Sequence, residues 1–439
     1  MKSFSSSSFA SDHAESLDLA FAAVQKDPQA LFTDFQWFLY AGKDTIFFTA
    51  FSTEPFDRER LKSLAARVVA LAPQLTHGFA GARPGHPFTE TQLDAITSVE
   101  TVDEFDGYPD RWLGKSADIF EHPDLPLFRF MAATRKGGPD GEGRASIIQV
   151  RAAHCVLEGS DAALLTRSQT AGHGIQSNKA NKVSLSARVL GALRAGLGAA
   201  IHLFFAHVLS PPDKPWLFRT MPLQRDRLRR LANRLGVRQR SLYFAVVTHA
   251  LHSPTDRRLN AEVVTAAYTM LDTKRTAVDD DFFRVRALMA KFPYRDDFVD
   301  YVKGVDRTLD EIENKDITSF QVQVLALFSM HRALHRVFPF LYGPRFWRFS
   351  GRADTVLTLV PPHRTFGPVT EWMMEPIYCG AYHPASNICT FCPGREYMTL
   401  NFTMEQRHME MVDRIEPLIA EIEAMDLPPV NKPAGHVDA

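Results

Sequence analysis

Arg144-Ala-Ser-Ile-Ile-Gln-Val150, continued by Arg151-Ala-Ala-His-Cys-Val-Leu-Glu-Gly159 and by Ser160 to Leu165, is the stretch whose reading decides the fold. Ile147, Ile148 and Val150 make a β-branched run with polar Ser146, Gln149 and Arg151 around them, which predicts a strand. That strand delivers His154 to a turn. Gly159 breaks the pattern, Ser160 can cap, and Asp161 to Ser168 reads as a short helix packing through Ala162, Leu164 and Leu165. A histidine at a strand end, followed four residues on by a carboxylate and then by glycine, suits general-base chemistry. The strand fixes the imidazole and the turn exposes it to a substrate. Standing alone, such a histidine is more often an ordinary hydrogen-bonded residue, so its surroundings must decide.

Upstream, Pro126 to Met131 predicts a strand, and Lys136-Gly-Gly-Pro-Asp-Gly-Glu-Gly143 carries strong turn chemistry before the strand from Arg144. Thr45 to Phe51 predicts another strand. A helix should run from Asp57 to about Leu71, with Asp57 as N-cap, Leu61, Leu64, Ala65, Val68 and Val69 as its apolar face, and Pro73 as its stop. Leu17 to Tyr40 is apolar and aromatic, whereas Met1 to Ala10 is serine-rich with no apolar core segment, so no secretory signal is expected there.

Ala153-His-Cys-Val-Leu-Glu-Gly159 resembles the His-His-x-x-x-Asp-Gly motif of the chloramphenicol-acetyltransferase-like superfamily. That superfamily includes peptide-synthetase condensation domains and the wax ester synthase/diacylglycerol acyltransferases. The second histidine, the family's general base, is present as His154; the first is Ala153, and the aspartate is Glu158. In the superfamily a Pro-x-Leu-Arg arginine pairs with the motif aspartate, but Pro73-Gln-Leu-Thr76 lacks it. The order strand, Gly-rich turn, strand, histidine is also the family's. Further on, Asp354 to Pro362 resembles the strand ending in Asn-Val-Pro-Gly-Pro of the wax ester synthases, with Leu359 at the asparagine position and no glycine. By the same resemblance Arg275, after two helices and a strand over Ala261 to Leu271, is the candidate structural partner of the motif carboxylate.

Ser184 to Leu209 predicts a long helix whose second half is largely apolar. With Arg194 and two histidines it falls short of a membrane span of ~20 predominantly apolar residues, so a buried or crossover helix is the expectation. Pro211, Pro212 and Pro215 end it. Helices then follow over Gln224 to Leu235 and Ser241 to Leu251; the arginines of the first read as a solvated face. Asp279 to Asp281 reads as a solvated loop and not a metal site. His331 and His335 share a helix face without a third ligand. The aromatics from Phe338 to Phe349 are expected to be core. Asn387 to Thr403 predicts a hairpin about Pro393-Gly394, and Glu405 to Met425 the closing helix. Cys379, His383, Cys389 and Cys392 have the residue types of a zinc site. On a strand, however, Cys389 and Cys392 would point to opposite faces, so no metal is expected.

The 439 residues suffice for two domains, and the formal net charge of -1 offers no basic field for nucleic acid. Four cysteines suit a reducing compartment better than a disulfide scaffold. The expected organisation is a tail (1–12), an N-terminal subdomain (13–172), a crossover linker and helix (173–215), a C-terminal subdomain (216–425) and a flexible tail (426–439). The expected fold class is α/β, two chloramphenicol-acetyltransferase-like subdomains with mixed sheets and a central tunnel. The resemblance implies an acyltransferase that uses acyl-CoA or an acyl carrier protein, a hydroxyl or amine acceptor, and no cofactor. His154 would be its general base, with Glu158, Gly159 and Arg275 structural. The departures at Ala153, Glu158, Thr76 and Leu359 keep a second reading open, a non-catalytic domain that binds a carrier or partner protein. A cytoplasmic location is expected, with possible peripheral contact at the inner membrane face through the 199–209 helix or the 338–349 aromatics.

Overall fold

A computed structural model describes residues 32–71, 88–108, 110–113, 119–120, 126–156, 185–209, 216–252, 263–271, 285–313, 318–347, 355–359, 373–383 and 386–426. Its strands are β1 (Thr45–Ser52), β2 (Thr97–Val102), β3 (Phe128–Arg135), β4 (Ser146–Ala153), β5 (Trp216–Gln224), β6 (Val263–Leu271), β7 (Val285–Pro293), β8 (Thr355–Leu359), β9 (Met373–Tyr382), β10 (Ile388–Pro393) and β11 (Tyr397–Glu405). They form two sheets, ordered β2-β3-β4-β1-β9 and β5-β11-β10-β8-β6-β7. Both are mixed: β2–β3, β8–β10 and β6–β8 pair parallel, the other neighbours antiparallel. The expected α/β class with two mixed sheets is the one observed.

Every position of β1 and β4 is buried, so each is covered on both faces. One side is closed by helix Arg58–Leu71, where Leu61, Leu64, Ala65, Val68 and Val69 are all buried as their spacing predicts. Asp57 caps that helix, its Oδ1 accepting from Arg60 N at 2.8 Å. The second sheet packs on helices Gln239–Leu251 and Phe298–Glu313, and the first of these is buried along nearly its whole length.

β9 joins the two halves. It falls within the stretch expected to form the C-terminal subdomain, yet it is hydrogen bonded along β1 in the first sheet. The sequence reading assigned no strand to 97–102, 216–224, 285–293 or 373–382. In β9 the reason is Pro376, which has no N–H for a ladder. The sheet accommodates it at an irregularity: Ala50 faces Ile377 but Phe51 faces Met374, so Glu375 and Pro376 bulge out. The bulge throws the Glu375 carboxylate onto the β10–β11 turn, where it accepts from Arg395 N at 2.5 Å and Glu396 N at 2.8 Å. A Cβ on Gly394 would come within 2.6 Å of that carboxylate, so glycine is what lets the turn close on it.

Three other expectations need correction. The closing helix is broken into Gln406–Met409, a short 3-10 turn at Val412–Arg414, and Ile415–Ala424. Pro417 has no N–H for the Asp413 carbonyl and its ring would clash there, so a continuous helix is blocked and a new one starts just before it. Helix Leu185–Leu209 is not buried; its large apolar side chains point outward. The aromatic cluster is split, because Tyr342 and Phe346 are core while Phe338 and Phe340 are exposed.

Candidate active site

The register of the first sheet brings three strand ends into one row. Thr45 faces Ala153 on β4 and Tyr382 on β9. Asp44 precedes Thr45, while His154 and His383 follow the other two residues, so all three lie one step beyond the paired edge. His154 N donates to Asp44 O at 2.8 Å, and His383 Nε2 lies 3.3 Å from Asp44 Oδ1.

Local structure holds each of them. Helix Asp34–Ala41 begins with a capping box between Thr33 and Gln36, and Gln36 Nε2 also donates to Cys155 O at 2.9 Å. That bond ties the helix to the turn carrying His154. After the helix, Lys43 takes a φ of 58°, a left-handed conformation uncommon outside glycine, and the chain reverses to present Asp44. Glycine at 42 leaves room for this pair, for a Cβ there would lie 3.2 Å from Asp44 Oδ1 and 3.4 Å from His383 Nε2.

Burial pushes the Asp44 carboxyl well above its ordinary range. Burial, then the neighbouring His154 imidazole, pushes His383 down to about 4. Both directions favour the uncharged pair, a protonated carboxyl facing a neutral imidazole. Cys155 is fully buried and its thiol is pushed up by burial, so it is no candidate nucleophile. Behind the row lies a polar seam across β4 and β1: fully buried Arg151 reaches Gln149 Oε1 at 2.8 Å, and Gln149 Nε2 reaches Thr49 Oγ1 at 3.0 Å.

Of the site residues read from sequence, His154 stands in this row, half-buried, after a fully buried Ala153. Glu158, Gly159, Arg275 and Thr76 lie outside the described residues, as do Asp279 to Asp281. Asp44 was missed altogether, and His383 was read only with the cysteines. Those cysteines do not converge. Cys389 sits in the core of the second sheet, while Cys392 lies with Cys379 in the core of the first, as their opposite-face spacing requires. His331 is a packing residue, fully buried, with Nδ1 2.9 Å from Tyr342 Oη.

No protein-family model and no curated protein matches the chain by sequence. Solved structures do match by shape. Trichothecene 15-O-acetyltransferase from Fusarium sporotrichioides superposes with a TM-score of 0.56 at 10% identity, over 87% of this chain and 91% of that one. The first condensation domain of the calcium-dependent antibiotic synthetase gives 0.50 at 15% identity, over 90% and 95%. The chain therefore shares its fold with that acetyltransferase and that condensation domain.

Proposed function

We propose that the protein transfers an acyl group from a pantetheine thioester, carried by coenzyme A or a carrier protein, to a hydroxyl or amine acceptor. His154 is the general base. The carrying observation is the row Asp44–His154–His383, which sets an imidazole at a strand end beside an uncharged acid–imidazole pair. The fold shared with an acetyltransferase and a condensation domain supports the reading.

His154 takes the proton from the acceptor O–H or N–H as that atom attacks the thioester carbonyl. The tetrahedral intermediate then collapses, the C–S bond breaks, and the thiolate leaving group takes the same proton from the imidazolium. An uncharged Asp44–His383 pair sets no fixed cation against His154 while it gains that proton. Glu158 holds the turn and stays out of the chemistry, and Arg275 is its candidate partner. The departures at Ala153 and Leu359 favour a second reading, a domain that binds an acyl carrier without turning it over.

Acyl transfer measured over short- and long-chain thioesters with alcohol and amine acceptors separates the two. The expected result is wild-type turnover that falls ~10²–10⁴-fold in His154→Ala while thioester binding is kept. Asp44→Ala, which removes the side chain facing His383, is expected to lower kcat on the order of 10²-fold with little change in KM, as a misplaced base would. Asp44→Asn, an uncharged carboxamide of the same shape that keeps the backbone carbonyl, should stay close to wild type. Undiminished turnover in His154→Ala sinks the mechanism; no wild-type turnover with any donor favours the binding module.

A further inference from the structure

Helix Leu185–Leu209 is built inside out. Its inward stripe is Gly191, Ala195, Ala199 and Ala206, all buried, lying against helix Thr318–Val337 so closely that a Cβ on Gly191 would sit 2.9 Å from Val322 Cγ1. Its large apolar side chains face away from the protein: Leu193 is 69% exposed, Leu197 66% and Phe204 62%. A soluble helix has the reverse arrangement. Of the exposed large apolar side chains among the described residues, nine lie on this helix, and Val337, Phe338 and Phe340 extend the set at one end. His207 Nε2 lies 3.1 Å from Leu341 O, which fixes that end of the helix beside Phe338 and Phe340, the latter 75% exposed.

The charge is equally one-sided. The chain as a whole has 50 basic and 51 acidic residues, yet 185–209 and 318–347 together contain no Asp or Glu and five arginines. Arg194, Arg336 and Arg345 are exposed. We propose that this face is a docking surface for an anionic lipid bilayer, with the outer side of helix Leu185–Leu209 and the Phe338–Phe340 segment inserted at the headgroup boundary. Arginine-bordered apolar helices bind such surfaces by burying apolar area and by attraction to anionic headgroups.

Val189–Val208 is long and apolar enough to cross a bilayer. Its inner stripe is occupied, however, and helix Thr318–Val337 is itself held to helix Asp34–Ala41 by Arg332, whose Nη1 lies 2.7 Å from Phe32 O and 3.0 Å from Asp34 Oδ1. The helix therefore lies along the surface and does not span. A second copy is a poor occupant, because a two-fold contact would set arginines against arginines with no acid on either helix.

The test is flotation of the purified full chain with vesicles of phosphatidylcholine alone and of phosphatidylcholine with phosphatidylglycerol. Binding is expected with the anionic vesicles, weaker with the neutral ones and weakened by salt. Arg336→Gln and Arg345→Gln should each lower anionic-vesicle partition on the order of fivefold. Leu197→Glu/Phe204→Glu, at exposed positions, should abolish flotation without lowering the melting temperature. Three results overturn the proposal: a wild type that floats with neither vesicle, undiminished flotation of the Leu197→Glu/Phe204→Glu variant, or a vesicle-free dimer which that variant dissociates. None of these readouts depends on acyl transfer.

Discussion

His331 shows most directly how burial sets the chemistry of a single residue. It packs between His202, Tyr342 and Phe346, with ring centroids 5.2, 5.8 and 5.2 Å away, and no carboxylate belongs to that cluster. Burial, then His202, pushes it down to about 3. The unfolded chain, with histidine near 6.5, binds the proton first as pH falls. The contribution of this residue to stability is therefore complete above about pH 6.5 and is lost progressively toward pH 3, by up to ~1.4 kcal/mol per pH unit. Melting temperature followed from pH 7.5 down to 4.5 should fall less steeply in His331→Phe than in wild type. Equal slopes would show that the site admits the charged ring.

At the scale of elements, β9 carries both the irregularity and the site. Its Gly380 lies under the Phe47 ring, so that a Cβ there would fall 2.3 Å from Phe47 Cζ. Phe47 is buried and has little room to yield. Gly380→Ala should therefore destabilise by about 1–3 kcal/mol, the usual cost of overpacking. Because His383 directly follows the same strand, the acyl transfer proposed above should fall with it. Denaturant melts checked against kcat would show the link, and a variant as stable and active as wild type would contradict it. Helix Leu185–Leu209 makes a related point. Its apolar content predicts burial only if burial means contact with the rest of the protein. The structure spends its small residues on that contact and its large ones on the outside.

For the whole molecule, the decisive connection is the passage of the chain from the second sheet back into the first and out again. β8 lies in the second sheet, β9 in the first, and β10 in the second. β10 packs Cys389 and Phe391 into one core and Cys392 into the other. The Glu375 carboxylate pins the β10–β11 turn from the β9 bulge. With strands and side chains shared in this way, the two halves should unfold together. Urea unfolding followed by tryptophan fluorescence and by far-UV circular dichroism should give coincident transitions. Two separated midpoints would mean that the subdomains are independent.

Local pattern determined much of this protein. The β-branched run of Ser146–Ala153, the capped amphipathic helix after Asp57 and the hairpin about Pro393-Gly394 each carry their instruction within about a dozen residues. His154 was legible for the same reason, since strand, turn and motif are contiguous. Asp44 and His383 were not. They stand 339 positions apart, and only the pairing of β1 with β9 brings them together. β9 itself was hidden because Pro376 spoils the alternation that marks a strand, and a bulge that absorbs a proline is a property of the sheet and not of the segment. The outward face of helix Leu185–Leu209 was likewise beyond reach of sequence alone. Hydrophobicity states that a side chain avoids water, but whether a core, a partner or a bilayer receives it is decided by what the neighbouring helix leaves uncovered.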